Sequence, residues 1–306
     1  MSHFADRLCA AIEERRAPCV VGLDPVLDYV SDDFLRECGL SRQGDLEERA
    51  RAIEAYCLTT LEAVHDLVPA VKPQMAYFEL YGSHGMRALE RCIEAAHELG
   101  LSVLLDGKRG DIGSTSRAYA EAYLAKQPSR AFEVDALTLN PYLGTDSLEP
   151  FVDVALDNDK GLFVCVRTSN AGADITQLQQ TQDGRLLYEV VADLVAELNA
   201  RSIGASGYGS VGAVVGATQA AAAAKLRARM PKTLFLVPGF GAQGGSLDTV
   251  RACFDAEGRG AIVNSSRAVM YPERFGGAPA KQGKDAIRAA AQDLVARVRG
   301  VLRTVE

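Results

Sequence analysis

A chain of 306 residues, 48% hydrophobic and 24% charged, has ordinary globular composition and is long enough for one large domain or two small ones. Its net charge of −7 argues against broad nucleic-acid or membrane binding, so an anionic ligand would need local positive groups. The seven cysteines (Cys9, Cys19, Cys38, Cys57, Cys92, Cys165 and Cys253) are scattered, odd in number and never spaced C-x-x-C. That pattern points to reduced thiols in the cytoplasm rather than to a disulfide framework or a zinc site. The four histidines, at 3, 65, 84 and 97, cluster with nothing. No run of about 18 apolar residues is present to span a membrane.

The chain opens with "MSHFADRLCAAIEERRAP", an amphipathic helix over 4–16 without the unbroken apolar stretch of a signal peptide. Eight short apolar runs follow: "CVVGLD" (19–24), "PAVKP" (69–73), "LSVLLD" (101–106), "VDALTLN" (134–140), "GLFVCVRT" (161–168), "VGAVVGA" (211–217), "TLFLVPG" (233–239) and "GAIVNSS" (260–266). Helical patterns lie between them, among others at 46–66, 84–99, 116–126, 188–201, 219–229 and 284–303. Alternating β and α units imply a parallel sheet with helices outside it, and near-continuous apolarity suits strands buried on both faces. Eight units without a shift in composition favour an α/β fold of the (β/α)8 TIM-barrel type over an open doubly wound sheet. The whole chain then forms a single domain, 1–306, with the barrel at about 19–303. Two insertions stand out, 25–45 after the first strand and the polar 170–187 after the fifth. Both follow strand C-termini, the face on which barrels carry their active sites.

The third strand ends in an unusual way. "LLDGKRGD" packs Asp106, Lys108, Arg109 and Asp111 into six residues. Side chains alternate along a strand, so Asp106 and Lys108 share a face and Arg109 turns away, toward a subunit contact. A salt bridge closing the barrel top would account for Asp106 with Lys108, and a helix N-cap for Asp111. The N-cap reading leaves the inward charges of the other two unexplained. Such charges are costly unless paired or used. The second strand ends in Lys72 and the first in Asp24, so three adjacent strand tips carry an alternating array of acids and bases. At an effective dielectric near 20, unit charges about 4 Å apart interact by about 4 kcal/mol. An array of that kind can keep a lysine protonated and an aspartate ionised at neutral pH.

The last two strands read differently. "VPGFGAQGG" (237–245) has four glycines in nine residues, and "IVNSSRAVMY" (262–271) follows on the eighth strand. Barrels often bind phosphate after strands seven and eight, through backbone N–H groups. Arg267 adds a candidate bidentate contact. The bland alternatives are a tight turn and a surface arginine. Neither a P-loop nor a dinucleotide-binding glycine pattern after the first strand is present.

Taken together, "GLDP", "VKP", "DGKRGDIGST", "RTSN", "PGFGAQGG" and "NSSR" resemble the orotidine 5′-phosphate decarboxylase family, in its longer bacterial type, from about Val20 to Tyr271. The resemblance implies decarboxylation of orotidine 5′-monophosphate to UMP and CO2, the last step of de novo UMP biosynthesis, without a metal or organic cofactor. It implies a catalytic set of Lys72, Asp106, Lys108 and Asp111, the last reaching into the partner subunit's site of a homodimer with Ile112 and Thr115 beside it. It further implies Asp24 on the ribose, Ser169 on the pyrimidine, Gln243 bridging base and phosphate, and Ser266 with Arg267 on the phosphate. The insertions 25–45 and 170–187 depart from the family's short core and receive no role; Asn140, at the tip of the fourth strand, receives none either. Two other readings compete. Metal-dependent sugar-phosphate decarboxylases and aldolases share D-x-K-x-x-D but carry an acidic ligand on strand two, where Lys72 stands here. A non-catalytic nucleotide-binding barrel would be expected to lose one of the four charged residues.

Overall fold

The apolar runs pair in sequence order, each parallel to the next, and the eighth returns to the first. The strands are β1 (Cys19–Leu23), β2 (Ala70–Pro73), β3 (Ser102–Arg109), β4 (Ala136–Leu139), β5 (Gly161–Arg167), β6 (Gly209–Val215), β7 (Thr233–Val237) and β8 (Ala261–Ser265). They form a closed eight-stranded barrel in this computed structural model, which describes residues 3–126, 132–217, 220–239, 247–275 and 283–303. The expected runs all form strands. The third extends furthest beyond its expected end, through Asp106 and Lys108 to Arg109.

Outside the barrel, in chain order, lie α1 (Phe4–Arg15), α2 (Asp32–Glu37), α3 (Leu46–Val64), α4 (Met75–Glu79), α5 (Gly82–Glu98), α6 (Gly113–Leu124) and α7 (Thr145–Asp157). The series continues with α8 (Ala173–Gln177), α9 (Leu187–Ala200), α10 (Ala220–Arg229), α11 (Leu247–Cys253), α12 (Arg267–Met270), α13 (Pro272–Phe275) and α14 (Gly283–Arg303). Local chemistry sets several of their ends. Asp45 caps α3 by accepting from the Glu48 N–H at 2.9 Å, and Glu47 and Glu48 follow in the first turn, where the helix dipole favours negative charge. Ser31 caps α2 in the same way, accepting from the Phe34 N–H at 3.2 Å.

Inside the barrel, strand alternation builds layers. Val20, Ala70, Leu104, Ala136, Phe163, Leu234 and Ile262 pack together in one apolar cluster. Phe4, Ala5 and Leu8 of α1 join this cluster and plug the N-terminal mouth. Phe4 meets Phe163 edge-on, with ring centroids 6.3 Å apart. Gly161 makes that plug possible: a Cβ there would lie 2.2 Å from the Phe4 ring. Two residues further along the strands the interior turns polar, with Lys72, Asp106, Thr138 and Asn264 all buried. The apolar layer is the floor of the site, and the polar layer stands on it.

The two insertions behave differently. Residues 25–45 pack outward, against α3 and Tyr271 at the end of α12. Tyr29 stacks edge-on with Tyr271 and Phe34 with Tyr56, at centroid distances of 5.4 and 5.2 Å. The Tyr271 hydroxyl accepts from the Val26 N–H at 2.7 Å and pins the start of this segment. The second insertion contains α8 and turns inward, over the barrel mouth.

Candidate active site

The mouth at the C-terminal ends of the strands opens into a cavity of about 810 Å³. Asp24, Lys72, Asp106 and Lys108 line one side, Ser169 with part of the second insertion another, and Ser266 with Arg267 a third.

Asp106 is the centre. One oxygen, Oδ2, accepts from Lys72 Nζ at 2.6 Å and Gln74 Nε2 at 3.0 Å. The other, Oδ1, accepts from Lys108 Nζ at 2.5 Å and Thr138 Oγ1 at 3.0 Å. Four donors saturate a carboxylate. Burial alone would raise its pKa, but Lys72, Lys108 and their hydrogen bonds outweigh it and hold the carboxyl far below the usual carboxylate range. Lys72 is buried between two carboxylates. Desolvation opposes its charge, yet Asp106 and Asp24 together push its pKa up. Asp24 is different: burial raises its pKa despite Lys72, a hydrogen bond from Ser266 and the charge of Arg267. Its Oδ1 is buried with no partner among the described residues.

Lys108 reaches this position through its backbone as well as by alternation. It has φ +42°, a left-handed conformation that costs a residue with a Cβ about 1–2 kcal/mol. The β3–β4 register shifts between Leu105 and Arg109, and the Lys108 N–H donates to Thr138 Oγ1 at 2.9 Å. Its side chain is 49% exposed and opens onto the cavity, while the Asp106 side chain beneath is only 9% exposed. The cluster therefore presents one ammonium to a ligand and keeps its counter-charge buried.

The remaining sequence-derived residues divide into groups. Ser169, Ser266 and Arg267 line the cavity with Asp24. Asp111, Ile112 and Thr115 do not line it. Asp111 Oδ1 accepts from the Ile112 N–H at 2.8 Å, and the N-cap of α6 is Ile112, with no side-chain cap. The helix-cap reading of Asp111 therefore falls. Gln243 lies outside the described residues. Arg109 turns away from Lys108 as expected, but into its own subunit: it pairs with Glu79 at 2.6 Å and lies over the rings of Tyr119 and Tyr123. Asn140 stands exposed on the cavity rim. Sequence reasoning missed Gln74, Thr138 and Asn264. Each sits two residues from an inward-facing neighbour, so alternation applied to strands two, four and eight would have found them.

This anatomy defines a (β/α)8-barrel enzyme whose chemistry is organised by fixed charge at its strand tips. Comparison with known proteins narrows the class. The profile described as "Orotidine 5'-phosphate decarboxylase / HUMPS family" matches residues 40–273. A Rhodopirellula baltica protein named orotidine 5′-phosphate decarboxylase is 46% identical over 98% of this chain and 100% of its own length. A Caldicellulosiruptor bescii protein of the same name is 39% identical over 89% of this chain and 90% of its own. The solved structure of Leishmania donovani OMP decarboxylase superposes with a TM-score of 0.75 at 33% identity, covering 98% of this chain and 99% of that one. The chain belongs to the orotidine 5′-phosphate decarboxylase family.

Proposed function

We propose that this site converts orotidine 5′-monophosphate to UMP and CO2, and that the Lys72–Asp106–Lys108 cluster carries the reaction. The bond from C6 of the pyrimidine to its carboxylate breaks, CO2 leaves, and the electron pair stays on C6, where no π system accepts it. The Lys108 ammonium beside C6 stabilises that charge most in the transition state and then donates its proton to the carbon. Asp106 lies near the departing carboxylate and holds Lys108 in place; Lys72 keeps Asp106 ionised. The single observation that carries this reading is the saturated Asp106 carboxylate holding an open lysine at 2.5 Å.

The rest of the substrate falls to the other lining residues. Asp24 takes a ribose hydroxyl on its unpartnered oxygen, and Asn264 Oδ1, buried without a partner among the described residues, is a second acceptor there. Ser169 takes the pyrimidine, Ser266 and Arg267 take the phosphate end, and Gln243 bridges base and phosphate. Phosphate binding is remote from C6 and supplies energy to order the site and exclude water. Asp111, Ile112 and Thr115 serve the partner subunit's site in a homodimer. The supporting observation is that Leu80 after α4, Ile112 between β3 and α6, and Tyr142 and Leu143 between β4 and α7 are half or more exposed apolar residues. We place the protein, as one barrel unit, in the cytoplasm; its seven cysteines are free, and no helix among the described residues is long and apolar enough to cross a membrane.

A metal-dependent reaction fits the residues poorly, because a divalent cation between Asp24 and Asp106 would meet the buried Lys72 ammonium. Loss of orotidine monophosphate absorbance, followed with EDTA present, tests the proposal, and full activity is expected. Activity abolished by EDTA and restored by Mg²⁺ would overturn it in favour of the metal-dependent barrels. Tight UMP binding without release of labelled CO2 would overturn it in favour of a non-catalytic barrel.

A further inference from the structure

The second insertion lines the cavity, and one buried side chain ties it down. Arg167 ends β5 with its side chain 5% exposed. It donates through Nη2 to Asp174 Oδ1 at 2.5 Å and through Nη1 to Gln177 Oε1 at 3.0 Å. Its guanidinium lies 5.8 Å from the centre of the Tyr188 ring on α9. Gln177 closes the network onto the strand end. Its Oε1 also accepts from the Thr168 N–H at 3.0 Å, and its Nε2 donates to Thr168 Oγ1 at 2.8 Å. Thr168 Oγ1 in turn donates to Asn170 Oδ1 at 2.6 Å.

These bonds hold a segment with little order of its own. The helix α8 has five residues, too few to be stable alone, and Gly172 at its N-cap offers no side-chain cap. Ser169 sits inside the braced segment, between Thr168 and Asn170, and lies against β6. A Cβ at Gly216 would come within 2.9 Å of Ser169. Ser169 is thus pressed to the strand on one side and positioned by the Arg167 network on the other. Thr176, Gln177 and Tyr188 line the same cavity wall.

We propose that Arg167 is a positioning residue for the decarboxylation: it locks the segment 168–177 as the wall of the site and so sets Ser169 against the pyrimidine. The inference rests on the function proposed above. A guanidinium suits the task because its fork serves a carboxylate and a carboxamide at once, in fixed directions. A lysine ammonium at the same place is a single point charge on a flexible stem.

The test is steady-state kinetics on the full-length wild type, Arg167→Met, Arg167→Lys, Asp174→Asn, Ser169→Ala and the Arg167→Met/Ser169→Ala double variant, each with its Tm. Misplacing a substrate contact by about 1 Å costs about 100-fold, so Arg167→Met is expected to lower kcat/KM by about 10- to 100-fold. Arg167→Lys should recover little of this, and Asp174→Asn, at a half-exposed position that does not threaten folding, should fall between it and wild type. Because Arg167 acts through Ser169, adding Ser169→Ala to Arg167→Met should cost less than about threefold more, a coupling that a merely structural role would not produce. Wild-type kcat/KM in both Arg167→Met and Asp174→Asn, or fully multiplicative losses in the double variant, would overturn the inference. If Arg167→Met does not fold, the Asp174→Asn/Ser169→Ala pair provides the same cycle. Absence of turnover in the wild type would overturn the decarboxylase reading and the inference with it.

Discussion

Two largely sequestered aspartates, one at each end of the barrel, use similar chemistry for different ends. At the N-terminal end, Asp135 accepts from the Val103 N–H at 2.9 Å, from Arg7 at 3.3 Å and faces His97 at 3.0 Å. At the C-terminal end, Asp106 accepts from two lysines, Gln74 and Thr138. Burial would raise both pKa values, and in both the partners outweigh it and hold the carboxyl below the ordinary range. The partners make the difference. Those of Asp135 come from α1, α5 and the strand start, so the group knits outer helices to the sheet. Those of Asp106 come from the tips of its own strand and of its two neighbours, and one of them, Lys108 on the same strand, opens onto a cavity. A sequestered, well-partnered carboxylate is therefore no sign of catalysis by itself; one that presents a half-exposed cation to a cavity is.

The sharpest way to break this contrast is Lys108→Ala. Removing a charge that acts in the transition state should lower kcat by about 10³-fold or more, while UMP affinity, measured by calorimetry, changes little. Equal loss of binding and turnover would remove Lys108 from its assigned role. The next largest effect concerns Asp111, the second acid of the expected catalytic set. Inactive Lys108→Ala and Asp111→Asn proteins, mixed under conditions where subunits exchange, should regain about a quarter of wild-type activity, because half the dimers are mixed and each has one intact site. No recovery despite demonstrated exchange would place Asp111 in its own subunit.

At the other end of the barrel, Asp135→Asn should lower unfolding free energy by about 2 kcal/mol in urea titrations and leave kcat/KM within about twofold. Its acid dependence follows from the lowered pKa. The carboxylate's contribution is present above about pH 4, the unfolded value, and is lost as pH falls through the lower folded value. The wild type should therefore lose stability more steeply than Asp135→Asn on acidification below about pH 4. Parallel curves would mean that Asp135 is not the structural charge assigned here. The smallest effect is expected at Asp24, whose raised pKa means that the fold disfavours its charge. Asp24→Asn should raise Tm by about 2 °C while weakening nucleotide binding about tenfold. A lower Tm would show that Lys72 needs both carboxylates.

Much of this molecule is legible in its amino-acid order. Eight apolar runs with helical patterns between them specify a parallel barrel, because strands buried on both faces and crossover helices leave few other arrangements. Strand alternation places Asp24, Lys72, Asp106 and Lys108 at one mouth, since period two is a property of the backbone and needs no tertiary information. The same reasoning separates Arg109 from Lys108. It does not say where Arg109 goes, because Glu79, Tyr119 and Tyr123 meet it only once α4 and α6 have packed on the barrel. Nor does it say which way the two insertions turn, since both simply follow strand C-termini. Residues 25–45 are drawn outward by aromatic contacts with Tyr56 and Tyr271, far away in sequence, and residues 170–187 inward by Arg167. Sequence determined the barrel, the face of the site and its four inward charges, all of which follow from local periodicity and residue type. Tertiary structure alone decided the saturation of Asp106, the left-handed turn that aims Lys108 and the brace that holds Ser169, because each depends on distances between strands and loops that periodicity does not encode.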